Sequence, residues 1–110
     1  MEWMETERVT RGFCLSSVRF AAGDGKKARR QAQTMNRFYE ALENAAQAHA
    51  DACQAVSPLY RYMCRITACM EGEEICVTVT LTLRIPGNVS RRKCILHRWR
   101  DGILQKEKIV

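Results

Sequence analysis

Residues 75–85 read ICVTVTLTLRI and form the clearest strand pattern of the chain. Apolar side chains alternate strictly with cysteine, threonine and arginine, and a period of two is typical of a β-strand with one buried face. Because a shift of one residue would expose every apolar side chain, the register of this strand is well specified. The predicted core face consists of Ile75, Val77, Val79, Leu81, Leu83 and Ile85.

A second strand precedes this one. Residues 60–70 alternate in the same way and lead into the turn residues 71–74, so the two strands form a hairpin. A two-residue turn sets Cys69 directly opposite Cys76, where Cβ atoms lie about 4.5–5.5 Å apart, beyond the ~3.8 Å usual in a disulfide. Two neighbouring reduced thiols are therefore favoured, and this pair is the one that would oxidise most readily. The same register pairs Met70 with Ile75, Ala68 with Val77 and Ile66 with Val79.

One long helix is predicted over residues 27–54. Apolar residues recur there at steps of three and four, and frequent alanine favours the helical conformation. Asp24 is the predicted N-cap, and Pro58 ends the helix because proline cannot continue the hydrogen-bond ladder. The side chains expected to meet the strand face are Met35, Phe38, Leu42 and Ala46.

The remaining segments complete a single α+β domain over residues 1–110. The predicted architecture is one long helix packed on an antiparallel meander sheet of four to five strands, in strand–helix–strand–strand–strand order. The Thr-rich opposite face is left to water or a partner chain. Before the helix, a strand is predicted at 13–20 and a shorter one around Trp3 to Val9, within a segment 1–12 of weak order. After the strand at 75–85, a turn at 86–88 leads to a strand at 91–100. Asp101-Gly102 is a strong hairpin signal, so the chain returns through residues 103–109.

Charge is concentrated in two segments of a chain with net charge +6. The first is the helix start, with Lys26, Lys27, Arg29 and Arg30, where the helix dipole disfavours cations. An anion docked on the free backbone N–H groups would relieve that repulsion, but the simpler interpretation is that these side chains extend into water. The second is the tract Arg91, Arg92, Lys93, Arg98 and Arg100, which also holds His97 and Trp99.

The second tract permits two interpretations. Cations combined with a flat ring are typical of nucleic-acid surfaces, whereas charges on an edge strand protect a sheet against aggregation. Alternation puts Arg92, Arg98 and Arg100 on one face, and the other residues, including Trp99, on the opposite face with the apolar Ile95. The protective interpretation is favoured over a nucleic-acid site.

No catalytic or metal constellation stands out, and no cofactor is predicted. His49 and Cys53 lie one helical turn apart, but such a pair on an alanine-rich stripe is typical of a core. His97 has neighbouring cations that would lower its pKa, and no carboxylate lies at a sequence spacing that would orient it. The six cysteines follow no zinc-ligand spacing. The chain is therefore predicted not to be an enzyme.

The stretch Met35-Asn36-Arg37-Phe38-Tyr39-Glu40-Ala41-Leu42, followed by a strand-rich region, carries a resemblance. It resembles the helix start in the extracytoplasmic domain of anti-sigma-V factors and in the N-terminal domain of bacterial peptidoglycan deacetylases. The resemblance covers about residues 13–85 and implies a bacterial domain that senses or binds a partner, which is lysozyme in the anti-sigma case. This chain lacks the membrane anchor and the longer C-terminal part, so no binding residue is carried over.

The order of elements also looks like the cystatin arrangement, in which a sheet wraps one helix. Residues 54–58, QAVSP, hold only part of the cystatin inhibitor loop pattern and lie in the wrong place, so protease inhibition is not supported.

The function expected from these observations is a non-enzymatic binding or interaction module of the bacterial sensor-domain type. The alternative is a small basic nucleic-acid-binding protein. The expected partner is a protein or an anionic ligand, nucleic acid is also compatible, and a homodimer is an open alternative. Because the chain shows neither a signal peptide nor an apolar run of ~18 residues, we expect it in the cytoplasm. For the same reason the glycosylation sequon Asn88-Val89-Ser90 carries almost no weight.

Overall fold

A computed structural model describes residues 1–87 and 90–110 of the chain. The fold is α+β, as predicted, with one long helix and one six-stranded sheet whose strands follow the order β1-β2-β3-β4-β5-β6. The elements are β1 (Glu2–Thr10), β2 (Phe13–Ala21), α1 (Lys26–Val56), β3 (Arg61–Glu71), β4 (Glu74–Arg84), β5 (Arg91–Arg100) and β6 (Ile103–Ile109). The glycosylation sequon and the end of the predicted turn at 86–88 include residues outside the described part.

The sheet differs from the predicted meander in number and direction of strands. It holds six strands rather than four or five, because Glu2–Thr10 pairs with β2 along its whole length instead of forming a short or weakly ordered segment. It is also mixed, because β2 and β3 run parallel. A long helix connects these two strands, and a crossover of that kind lets neighbouring strands point the same way.

The parallel pairing is short. Phe13 to Ser16 lie opposite Tyr62 to Arg65, and β2 then diverges from β3. Asn36 of α1 takes the place of the missing strand: its Oδ1 accepts from the Phe20 backbone N–H at 2.7 Å, and its Nδ2 donates to the Phe20 carbonyl at 2.9 Å. The helix thereby closes the open edge of β2.

The predicted β3–β4 hairpin is confirmed in its register. Met70 lies opposite Ile75, Ala68 opposite Val77, and Ile66 opposite Val79. In the turn between β5 and β6, Asp101 and Gly102 both have positive φ, 52° and 74°, as a type I′ hairpin turn requires.

The helix has the predicted extent within two residues at each end. Its N-cap is Gly25 rather than Asp24, without a side-chain hydrogen bond, because the first helical residue is Lys26 and Asp24 lies one position too early. The C-cap is Ser57, directly before Pro58. Among the described residues, no helix combines the length and the apolar character that crossing a membrane requires.

The core lies between α1 and one face of the sheet. The helix backbone runs closest to β2 and β3, and its long side chains reach further, to β5. Tyr39 is fully buried at the centre of this layer, while the predicted Phe38 and Leu42 are partly buried beside it. His49, which the apolar stripe included, is exposed and lies 4.8 Å from the ring of Tyr62.

Candidate functional site

The basic sheet face is the side of β3–β6 that faces away from α1. Small polar side chains occupy its centre, where the register places Thr67 beside Thr78 and Thr80 beside Cys94. Acidic side chains are confined to its end at the β3–β4 turn, at Glu71 and Glu74. Its basic residues are Arg61, Arg65, Arg84, Arg92, Arg98, Arg100, Lys106 and Lys108.

The predicted tract in β5 divides between the two faces, as alternation indicated. Arg92, Arg98 and Arg100 lie on the basic sheet face, whereas Arg91 and Lys93 lie on the other face, opposite Leu83 and Leu81. Trp99 is 3 % exposed and belongs to the core. It is therefore not available for stacking on a base.

The predicted cations at the helix start do not join this tract. The start of α1 lies against the β5–β6 turn and carries Lys26, Lys27, Arg29 and Arg30. Gln31 packs closely on Gly102 of this turn: a Cβ added to Gly102 would lie 2.9 Å from the Cα of Gln31. Residues 91–93 lie at the opposite end of β5, roughly 25–30 Å away at about 3.3 Å per residue. Arg98 and Arg100 lie at the same end of β5 as the helix start, but on the face of the sheet turned away from α1.

A groove with a volume of about 590 Å³ lies on the basic sheet face. Leu96 and Val77 form part of its lining, and Lys106, Lys108 and Arg98 surround it. Arg98 is held in place by two carboxylates, with 3.4 Å from Nη2 to Glu71 Oε2 and 3.4 Å from Nη1 to Glu74 Oε1. Within the described residues, neither lysine forms an ion pair, so both ammonium groups are available to an anion.

Cys69 and Cys76 lie opposite each other on this face, at the predicted register, and both are free thiols. The Sγ of Cys76 donates to Glu71 Oε2 at 2.8 Å. This hydrogen bond, with a smaller contribution from burial, raises the pKa of the Cys76 thiol to about 11. Because the thiolate is the reactive form, Glu71 slows any reaction of Cys76 near neutral pH.

A second polar cluster lies inside the core. Trp99 Nε1 donates to Tyr39 Oη at 2.8 Å, Tyr39 Oη lies 2.9 Å from His97 Nδ1, and His97 Nε2 lies 3.6 Å from Glu107 Oε1. Burial is the main cause that lowers the pKa of His97, not the neighbouring cations that the sequence suggested, and Glu107 opposes the effect. His97 is 3 % exposed, so this cluster lies in the core, where His97 also borders the groove on the basic sheet face.

Sequence reasoning missed two groups of residues. Glu107 lies directly opposite His97 in the neighbouring strand and supplies the carboxylate that sequence spacing did not reveal. Arg61, Arg65, Arg84, Lys106 and Lys108 belong to the basic sheet face but stand outside the predicted tracts. The available signal was the alternation within each strand, combined across strands. No metal-binding cluster is found within the described part of the chain.

Comparison with known proteins does not assign the chain to a family. No protein-family model matches the chain, and no curated protein matches it.

Proposed function

We propose that this chain is a non-enzymatic binding module that docks an acidic segment of another protein on the basic sheet face. The observation that carries the proposal is the charge of that face: every strand from β3 to β6 contributes cations, and its acidic residues within those strands are Glu71 and Glu74. A surface of one sign attracts a partner of the opposite sign and raises the rate of encounter.

The shape of the face supports the same function. Its central side chains are threonine and cysteine, so an extended peptide can approach the sheet closely. The hydroxyl groups of Thr78, Thr80 and Thr82 can donate to carboxylates, while the surrounding arginines supply planar, bidentate donors. The open groove beside Leu96 accepts an apolar side chain. The resemblance to bacterial sensor domains supports a role in partner binding without naming the partner.

Nucleic acid is the alternative partner, and the density of arginine favours it. An acidic protein segment is preferred because no aromatic side chain of β3–β6 lies on the basic sheet face: Tyr62 and Trp99 are both buried toward α1. Single-stranded nucleic acids are usually held by stacking on such rings as well as by phosphate contacts. The face offers the cations without the rings.

The test is fluorescence anisotropy with three labelled probes: an oligoglutamate peptide, a single-stranded oligonucleotide and a duplex. We expect the peptide to bind at ~50 mM salt and to weaken markedly at ~200 mM salt, as screening requires. The triple variant Arg65→Gln/Arg84→Gln/Arg92→Gln should lose this binding. Its matched control, Lys26→Gln/Lys27→Gln/Arg29→Gln, removes the same charge from the helix start and should bind like the wild type.

Each outcome decides between the partners. Equal losses in both triple variants would mean that net charge, not the face, drives binding, and would overturn the proposal. Oligonucleotide binding that falls by roughly 10³-fold or more between the two salt concentrations, with no binding of the peptide, would replace it by the nucleic-acid function. Absence of binding to all three probes at low salt would also overturn it.

A further inference from the structure

The two edges of the sheet carry opposite charges. β1 and β6 are the edge strands, each with a single neighbour in the sheet. β1 holds Glu2, Glu5 and Glu7 against Arg8, whereas β6 holds Lys106 and Lys108 against Glu107. All of β1 except Trp3 is exposed, as is most of β6. Both strands therefore present backbone hydrogen-bonding groups and a definite charge to a neighbouring molecule.

Charged side chains of both edges lie on the basic sheet face. Glu7 lies opposite Ser16, and Ser16 lies opposite Arg65, so Glu7 continues this face into β1. Glu5 is on the same side of β1 but lies opposite the buried Val18, beyond the pairing of β2 with β3. Lys106 lies opposite Arg98 and Lys108 opposite Leu96, on the basic sheet face. A second copy whose helix faces the same way thus brings the Glu7 carboxylate toward these ammonium groups.

Pairing of like edges is disfavoured in this orientation. Two β1 strands brought together would set Glu5 and Glu7 of one copy against Glu5 and Glu7 of the other, and two β6 strands would do the same with lysines. Like charges directly opposite each other destabilise a strand pair. The charge pattern therefore opposes a two-fold edge dimer, the form that a homodimer built on one edge would take.

Strand direction fixes the geometry of the remaining arrangement. Every neighbouring pair in the sheet is antiparallel except β2 and β3, so β1 and β6 run in the same direction. A second copy placed beside the first without inversion brings its β1 parallel to β6. Glu7 then lies on the same face as Lys106 and Lys108, with Glu5 on the same side of β1.

We propose that copies of this chain associate head to tail, with β6 of one copy paired in parallel with β1 of the next. The contact is heterologous, so each association leaves a free β1 and a free β6, and the assembly grows as an open chain. This inference does not depend on the proposed function, since it needs no other partner.

Sedimentation velocity over an approximately 100-fold range of protein concentration tests the proposal. At ~20 mM salt we expect species larger than a dimer at high concentration, and at ~0.5 M salt we expect association at least about 10-fold weaker, because screening shortens the reach of the charges. Glu5→Lys/Glu7→Lys and Lys106→Glu/Lys108→Glu should each be monomeric alone. The control Lys26→Glu/Lys27→Glu makes the same charge change at the helix start and should associate like the wild type.

Mixing the two reversed variants is the decisive measurement. The lysines placed in β1 of one variant match the glutamates placed in β6 of the other, so the equimolar mixture should associate again. The fourfold variant that combines both reversals should associate alone. A wild-type chain that stays monomeric at ~20 mM salt would overturn the proposal. Association of either reversed variant by itself would also overturn the proposal. The same holds if both variants show the wild-type circular dichroism spectrum and their mixture nevertheless remains monomeric.

Discussion

The hydroxyl of Tyr39 lies 2.9 Å from Nδ1 of His97 and accepts a hydrogen bond from Trp99 Nε1 at 2.8 Å. His97 Nε2 lies 3.6 Å from Glu107 Oε1, and because an ionised carboxylate can only accept, this contact favours the neutral tautomer with its proton on Nε2. In that tautomer Nδ1 accepts a hydrogen bond from the Tyr39 hydroxyl. One helix residue thus joins two side chains of β5.

Removal of the Tyr39 hydroxyl should destabilise the fold. Tyr39→Phe leaves the indole N–H of Trp99 and Nδ1 of His97 buried without a partner, and each such group costs about 1–3 kcal/mol. We expect the free energy of unfolding in urea to fall by about 2–4 kcal/mol. Tyr60→Phe, at a half-buried position whose hydroxyl makes no hydrogen bond within the described residues, is the control. Equal effects of the two substitutions would refute the network.

Stability should decrease in acid because of His97. Burial lowers the pKa of the folded-state imidazole below its usual value of about 6.5. As the pH falls below that value, the unfolded chain binds a proton that the folded chain does not, so the free energy of unfolding decreases. His97→Asn retains an acceptor near Tyr39 but cannot titrate. It should flatten the pH dependence measured by urea unfolding between about pH 7.5 and 5, whereas substitution of the exposed His49 should leave the slope intact.

Asn36 should stabilise the fold through the backbone of Phe20. Asn36→Ala removes both hydrogen bonds and leaves a partly buried N–H and carbonyl without partners, so we expect a loss of about 1–3 kcal/mol in urea unfolding. Asn44→Ala is the matched control, since Asn44 is exposed on the same helix. Alanine favours the helix, and the control should be neutral or slightly stabilising. A loss of stability in the control as large as at Asn36 would contradict the assignment.

The turn between β5 and β6 should require glycine for two reasons. Gly102 has φ of 74°, and a Cβ there would lie 2.9 Å from backbone and side-chain atoms of Gln31. Gly72 has a similar φ of 64° but no atom within 4 Å of its Cβ position. Both Gly→Ala variants strain the backbone, and Gly102→Ala should cost at least ~1 kcal/mol more in thermal unfolding, since overpacking typically costs 1–3 kcal/mol. Equal costs would mean that the helix can move away from the turn.

Glu71 should protect Cys76 from alkylation. Because the carboxylate raises the pKa of the thiol to about 11, Glu71→Gln should increase the reactive thiolate and accelerate modification by iodoacetamide at about pH 8 by at least ~10-fold. Peptide mass spectrometry gives the rate at each cysteine, with Cys69 as the reference within the same molecule. Glu74→Gln also removes a partner of Arg98 but makes no contact with Cys76, so its rate should match the wild type.

Patterns in the sequence were enough to predict the β3–β4 hairpin, the long helix and the division of β5 between two faces. Each of these follows from periodicity within one segment: the alternation in residues 75–85, the steps of three and four in residues 27–54, and the alternation in residues 91–100. Local periodicity specifies which side chains share a face of one element. For this reason the sequence placed Trp99 on the apolar face of β5, although it did not reveal the hydrogen-bond partner of the indole.

Which elements lie side by side depends on contacts between distant segments, and these contacts are seen in the folded chain alone. The parallel pairing of β2 with β3, the bonds from Asn36 to Phe20 and the position of Glu107 opposite His97 all join residues distant in the sequence. Such pairings depend on how the helix crosses the sheet, which alternation within a strand does not encode. The basic sheet face arises in the same way, because Arg65, Arg92 and Lys106 form one surface only once their separate strands are placed in register.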